Sequence, residues 1–568
     1  MKYYKKESIL APLFKLLEAS FELLVPSVMA KIIDTGIKNG DKPYVIKMCM
    51  VLAALALLGL ACSVTAQYFS AKASAGFAKR VKHALFEHIL SLDFADTDKI
   101  GTARLITGMT SDMNQVQTGV NLTLRLLLRS PFVVFGAMIM AFTKDFRSAL
   151  VFAAAIPVLS VIVFGIMLYC IPVYKKVQQK LDKVLGRTRE NLTGIRVIRA
   201  FCKERDELEL FKEENRDLTS VQRFVGAVSS LMNPLTYVLI NIAAVVLIWI
   251  AAEQTDAGII TQGTTVALYN LMSQILVELI KLASLIITVT KAVACGKRIN
   301  ALFAVGTERI YPDELTQKES GDIAVRFDHV GFRYRDAADE SLTDMDFSVK
   351  KGETIGVIGS TGSGKSSLMH LIPGFYRATS GNVYVDGINV SDYPKETLRK
   401  KVGIVMQKAV LFKGTIRENL LWGNENASDE ELIAAAVTAQ AKEIIDEKKN
   451  GLDCMIEQGG GNLSGGQRQR LTIARALVRK PEILILDDSS SALDFATDAR
   501  LRKALRETET DTTVFIVSQR TSSVMNADRI IVLDDGKIVG IGTHGELLEN
   551  CGVYKEIFMS QCGKESAV

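Results

Sequence analysis

None of the eight cysteines (Cys49, Cys62, Cys170, Cys202, Cys295, Cys454, Cys551 and Cys562) stands in a CxxC pair or at a cysteine–histidine spacing. They read as free thiols, which excludes a zinc site and a disulfide framework. No basic-aromatic nucleic-acid motif is visible, and the formal net charge of +5 is small for 568 residues. The lysines and arginines cluster beside apolar stretches, as juxtamembrane anchors do, so nucleic acid is not expected as a partner. The basic start MKYYKKESIL is followed by no small-residue cleavage site. The apolar stretch behind it is long enough to span a bilayer and reads as a retained first helix.

What is present is apolar character, unevenly placed. The chain is 48% hydrophobic with a mean hydropathy of +0.20, high for a wholly soluble protein, and it is too long for one domain. Long apolar runs stop near residue 295; beyond it charges, glycines and short β-branched runs alternate as in soluble α/β chains. The expected organisation is a transmembrane domain over 1–300, a linker over 301–320 and a soluble domain over 321–568. A bilayer core about 30 Å thick needs roughly 20 apolar helical residues, and six windows qualify: 10–33, 46–70, 121–143, 148–171, 231–252 and 264–290. The connections after the second and fourth are long and rich in Lys and Arg, which places them, both termini and the soluble domain in the cytoplasm. The helices are expected to run on from the second span to near residue 93 and from the fourth to near 215. The breaks DFADTDKIG and AFCKERDE are candidate contact points with the soluble domain; plain solvated hairpins are the alternative. Glu18 with Glu22, Arg125 with Arg129, and Glu278 with Lys281 place charge inside the first, third and sixth spans. Such residues are costly in a membrane, so they either contact substrate or pair with one another around an inward-facing cavity.

The soluble half carries phosphate chemistry. TIGVIGSTGSGKSSLMHLI holds GxxxxGK[ST] from Gly359 to Ser366 between a β-branched run and an apolar helical pattern, the context this motif requires. Backbone N–H groups of Gly359, Ser360, Thr361, Gly362, Ser363, Gly364, Lys365, Ser366 and Ser367 can converge on phosphate oxygens at a helix N-terminus. Lys365 reaches the outer phosphates, and the Ser366 hydroxyl is a ligand for Mg²⁺. PEILILDD places Asp487 at the end of an apolar strand as a further Mg²⁺ holder, with Asp488 directed at an attacking water. Between them NLSGGQRQRLTIARAL opens a helix on Ser464, Gly465, Gly466 and Gln467, a second anion-binding device. One nucleotide does not need two, so the second is expected to cap a nucleotide held by another subunit.

These motifs resemble those of ABC transporter subunits of the exporter type, six membrane helices fused to one nucleotide-binding domain, and the resemblance covers nearly the whole chain. It implies an α-helical membrane domain of six long helices joined to an α/β P-loop ATPase domain with a helical subdomain. It also implies ATP and Mg²⁺ as cofactors and a place in the bacterial cytoplasmic membrane. By resemblance, Tyr334 in VGFRYRD matches the aromatic that stacks on adenine, with an ordinary strand aromatic as the alternative. Gln407 matches the glutamine that senses Mg²⁺ and the membrane part, and Asp494 in SALD the loop after the second carboxylate. The chain departs from the family's pattern at three positions: Asp488 where Glu is usual, Gln519 where His is usual, and Met406, to which no function is attached, where a proline usually precedes Gln407. A carboxylate set back by roughly 1–1.5 Å can cost about 100-fold in rate, and a neutral amide lacks the charge of a histidine. Both losses fall on one site, which points to a heterodimer in which a partner supplies Glu and His opposite this chain's intact LSGGQ; a slow homodimer is the alternative. The expected function is ATP-driven export of small amphipathic compounds. Lipid or peptide translocation, metal-chelate import and an ATP-gated regulatory role remain alternatives.

Overall fold

The computed structural model describes residues 2–306, 312, 314–315, 321–335, 337–507 and 511–562. The chain divides into two units, Met1–Leu90 with Thr102–Val305, and Ser91–Gly101 with Gly306–Val568. Most of the expected linker, 301–320, lies outside the described residues.

The first unit is helical, as long apolar runs without strand punctuation require. In chain order the helices are α1 (Lys5–Lys31), α2 (Lys42–Ser91), α3 (Phe94–Ile100), α4 (Thr102–Thr107), α5 (Met113–Leu126), α6 (Arg129–Lys144), α7 (Phe146–Thr193), α8 (Ile195–Ala200), α9 (Glu204–Ser230), α10 (Met232–Asp256) and α11 (Gln262–Phe303). Of these, α3 belongs to the second unit. Five stretches among the described residues are long and apolar enough to cross a membrane: Lys42–Ser91, Thr102–Lys144, Phe146–Thr193, Glu204–Asp256 and Gln262–Phe303. The sixth expected span is α1, which is long enough but carries Lys15, Glu18, Glu22 and Lys31 along its length.

Three of those charges, Lys15, Glu18 and Glu22, are paired. Lys15 Nζ lies 2.5 Å from Glu18 Oε2 and donates to Ser63 Oγ of α2 at 3.1 Å. Arg129, at the start of α6, donates to Glu22 of α1 at 2.6 Å and to Glu278 of α11 at 2.5 Å, and Ser130 and Lys281 complete the shell around Glu278 at 2.9 and 2.8 Å. Of the two roles open for these residues, mutual pairing is therefore seen for all but Arg125.

The span expected at 121–143 lies within the membrane-length stretch Thr102–Lys144, where α5 and α6 join through Leu127–Leu128, both in αR backbone. One expectation is corrected. The extension of the fourth span ends at Thr193 rather than near 215, because the chain turns at Gly194. It then returns through α8 and α9, and α9 is tied to α7 by Lys180–Asp217 at 2.5 Å and Arg187–Glu214 at 3.3 Å. At 1.5 Å per residue α7 is still ~70 Å long, far more than a bilayer needs.

The second unit holds two sheets. One, of order β2-β1-β4-β5, is antiparallel and built from β1 (Ile323–Phe332), β2 (Leu342–Lys350), β4 (Ser380–Val385) and β5 (Ile388–Asn389). The other has the order β12-β11-β3-β10-β9-β6, from β3 (Thr354–Gly359), β6 (Val402–Val405), β9 (Ile483–Asp487), β10 (Thr513–Val517), β11 (Arg529–Asp534) and β12 (Lys537–Gly542). All its strands are parallel except β12. A third pairing joins β7 (Gly414–Thr415) to β8 (Met455–Ile456). Every residue of β9 and β10 is buried, the signature of central parallel strands covered on both faces. A helical subdomain, including Ile416–Leu421, Asp429–Thr438 and Gly465–Val478, packs its apolar side into the core shared with β9 and β10.

The break DFADTDKIG sits in this unit as α3. Phe94 stacks on Phe375 with ring centroids 4.4 Å apart, Asp98 accepts from the Tyr376 hydroxyl at 2.5 Å, and Asp96 accepts from Arg335 at 2.5 Å. The other break, AFCKERDE, stays in the membrane unit, with Phe201 72% exposed.

Candidate functional site

The C-terminal ends of β3, β9 and β10 lie side by side, with Val517 in register with both Val357 and Asp487. This is where parallel sheets collect ligands. β3 ends at Gly359, where an added Cβ would lie 2.2 Å from the Leu533 carbonyl oxygen, so only glycine lets the loop leave the sheet here. The loop enters the helix Lys365–Leu371 through Gly364 at φ +92°, a left-handed conformation glycine adopts without strain.

One cavity of about 500 Å³ is lined by Tyr334, Thr361, Gly362, Gly364, Lys365, Ser366, Ser367, Gln407, Asp487, Asp488 and Gln519. Inside it Lys365 Nζ lies 2.9 and 2.6 Å from the carbonyl oxygens of Gly359 and Ser360 and 3.4 Å from Ser363 Oγ. Ser366 Oγ donates to Asp487 Oδ1 at 3.0 Å, Gln407 Nε2 to Asp488 Oδ2 at 3.1 Å, and Thr361 Oγ1 to Gln519 Oε1 at 3.3 Å. Tyr334 shares a hydrogen bond with Ser367 Oγ at 2.9 Å. Tyr334 is 37% exposed, so part of its ring is open to a flat ligand.

The charges in the cavity are poised for a polyanion and a cation. Burial pushes the Lys365 ammonium below its usual value, although Asp488 and Asp487 pull it back in part. Burial also pushes the Asp487 carboxyl up, against the opposing hydrogen bond from Ser366. An opposite charge beside either group would offset its desolvation, and shifts of this kind cluster at functional sites. The oxygen pair of Ser366 and Asp487 suits a hard divalent cation such as Mg²⁺.

The remaining expected residues lie outside this cavity. Ser464 caps the helix Gly465–Val478: its hydroxyl accepts from Gln467 N at 3.2 Å, and Gln467 Oε1 accepts from Ser464 N at 2.9 Å. This reciprocal pair leaves the N–H groups of Gly465 and Gly466 at the end of a 14-residue helix. Asp494 accepts from Thr497 N and Oγ1, both at 2.8 Å, which hold its carboxyl below the usual value and cap the following helix. Neither motif reaches the chain's own phosphate loop.

The structure adds residues the motifs did not reveal. His370 is buried behind Asp487, with Nε2 3.8 Å from Oδ2; burial lowers its pKa, against the pull of the Asp487 and Asp98 carboxylates. It follows Ser366 by one helical turn, a spacing the phosphate-loop motif does not include. Asp535 and Gly536, at the β11–β12 turn, also line the cavity. Gln561 supports the Gln519 segment, donating to the Gln519 carbonyl at 2.7 Å and accepting from Thr521 N at 2.8 Å. It lies 42 residues away in sequence, where no motif could flag it.

With this geometry in hand, residues 8–279 match the model for the ABC transporter transmembrane region, and residues 342–491 match the ABC transporter model. The chain belongs to the ABC transporter family. The transporter is 35% identical over 567 residues to the ABC transporter ATP-binding protein YfiB of Bacillus subtilis strain 168, covering 100% of this chain and 98% of that one. It is 26% identical over 565 residues to the ATP-dependent lipid A-core flippase of Vibrio vulnificus strain CMCP6, covering 99% and 97%. The structure of a bacterial Atm1-family ABC exporter with ATP bound superposes with a TM-score of 0.83 at 22% identity, covering 99% of both chains, which establishes the exporter fold. The transporter is thus a multi-pass membrane protein with an ATP-binding, ATP-hydrolysing domain on the cytoplasmic side.

Proposed function

We propose that this chain is one half of a heterodimeric exporter of amphipathic compounds, with a weakened ATPase site of its own and an intact signature lent to its partner. The observation that carries the reading is the division of the motifs. Asp488 and Gln519 line the nucleotide cavity, whereas Ser464, Gly465, Gly466 and Asp494 lie outside it.

In that cavity Tyr334 stacks on adenine, the loop Gly359–Ser367 cradles the phosphates, and Lys365 turns from the loop carbonyls to the outer phosphate oxygens. Mg²⁺, when bound, neutralises charge on the transferring phosphoryl group; Ser366, Asp487 and Gln407 would hold it. Asp488 is the residue placed to orient the attacking water, and Gln407, bonded to it at 3.1 Å, fixes its carboxylate. Gln519 offers the γ-phosphate a dipole where a histidine would offer charge, so less of the developing negative charge is stabilised. Opposite this slow site, the N–H groups at the start of Gly465–Val478 face the partner's nucleotide.

The test is steady-state ATPase of this chain purified alone and co-purified with the subunit it assembles with. The expected result is near-inactivity alone and full turnover in the pair. Equal turnover per nucleotide domain in both preparations would leave a homodimer instead.

A further inference from the structure

The charged side chains between α1, α5, α6 and α11 do not balance. Glu18 is taken by Lys15, Glu22 by Arg129, and Glu278 by Arg129 and Lys281. Four cations therefore accompany three carboxylates, and the one left over is Arg125. Its Nε is buried without a hydrogen-bond partner, and among the described residues its guanidinium has no ion pair. Arg125 sits one turn before Arg129, just ahead of the turn Leu127–Leu128 that joins α5 to α6. It is four residues inside the cytoplasmic end of the span read at 121–143, ~6 Å along the helix, a depth from which a long arginine side chain reaches up to the inner-leaflet interface. Unpaired intramembrane charge is where membrane transporters hold ligands. In the neighbouring cluster around Arg129, the side chains of Glu22 and Lys281 are 42% and 41% exposed, so the paired cluster is open at its edge rather than sealed.

We propose that Arg125 is the headgroup-recognition residue of a substrate site for anionic amphiphiles, those bearing a phosphate or carboxylate head on an apolar tail, entering from the inner leaflet. The three glutamates already satisfied by Lys15, Arg129 and Lys281 leave no carboxylate free to attract a cationic drug. A guanidinium presents a planar fork that matches an oxyanion bidentately, and the apolar faces of the spans accept the tail. The inference rests on the exporter reading and narrows its substrate class.

The probe is a fluorescent dodecyl phosphate, titrated by anisotropy into the assembled, nucleotide-free transporter in neutral detergent. Replacing Arg125→Gln should weaken binding by about tenfold or more, as loss of a charge-assisted hydrogen bond does. Arg125→Lys should recover part of it, and a dodecyl phosphocholine analogue should bind more weakly and respond little to either change. Displacement of the probe by phosphatidylglycerol marks a bilayer lipid as the source of the headgroup; displacement by free dodecyl phosphate alone marks a dissolved amphiphile. Both outcomes support the site. Unchanged affinity in Arg125→Gln would overturn it. So would equal losses in Gln and Lys variants that track a lowered melting temperature, since that is the behaviour of a residue bracing the bundle or a partner's helix. Because no nucleotide is present, a transporter that binds the probe but never hydrolyses ATP sinks the exporter reading alone, and one that hydrolyses without Arg125-dependent binding sinks the site alone.

Discussion

Asp488 sits at φ +45°, in the left-handed region that Asp and Asn enter more readily than most residues. Its backbone is fixed there by its own N–H donating to the Val517 carbonyl at 3.0 Å and by Ser491 donating to its carbonyl at 2.8 Å. The side chain therefore has little freedom to make up the missing methylene. Gln519 is held in the same way from behind by Gln561. Replacing Asp488→Glu and Gln519→His together should raise hydrolysis at this chain's site by more than the product of the single gains, because water orientation and γ-phosphate stabilisation act on one transition state. Single-turnover hydrolysis in a pair whose other site is silenced measures this. Merely multiplicative gains would show that the two positions act independently.

At the level of elements, the membrane helices are held by a few buried polar contacts as well as by packing. Glu278 of α11 is 3% exposed and shared by Arg129, Ser130 and Lys281. Glu278→Gln leaves Arg129 short of a charge in a buried position, a loss of about 3–5 kcal/mol by analogy with other buried pairs. The melting temperature of the transporter should fall by several degrees, whereas Lys281→Gln, at the exposed edge of the cluster, should change it little. A Glu278→Gln protein as stable as the parent would mean that the pairing is incidental. The same elements show what sequence could convey. Apolar length alone located five spans, and the phosphate loop, the run ILILDD and LSGGQ were readable because each is a local motif whose glycines or strand burial dictate its shape. Pairing was not readable: nothing near Glu22 says that its partner is Arg129, 107 residues on. The turn at Leu127–Leu128 was hidden because both residues are apolar helix formers, and His370 and Gln561 were hidden because their partners are distant in the chain.

For the whole molecule, the proposed heterodimer rests on the separation of two sets of motifs within one nucleotide domain. The cavity built from Lys365, Asp487, Asp488 and Gln519 has no signature residue in its lining, and Ser464 and Gly466 instead open the helix Gly465–Val478. A side chain at Gly466 would also crowd the Ala492 carbonyl, 3.1 Å from the added Cβ. The consequences of substitution should therefore be asymmetric. Steady-state ATPase of the co-purified pair, with Gly466→Asp or Asp488→Asn placed in this chain only, tests the claim most directly. On the heterodimer reading Gly466→Asp should lower total turnover by about 100-fold, as removal of transition-state donors does, because it would damage the cap over the partner's site. Asp488→Asn should lower it only modestly, because it alters a site already slow; equal losses from the two changes would contradict the heterodimer and leave two equivalent sites in a homodimer.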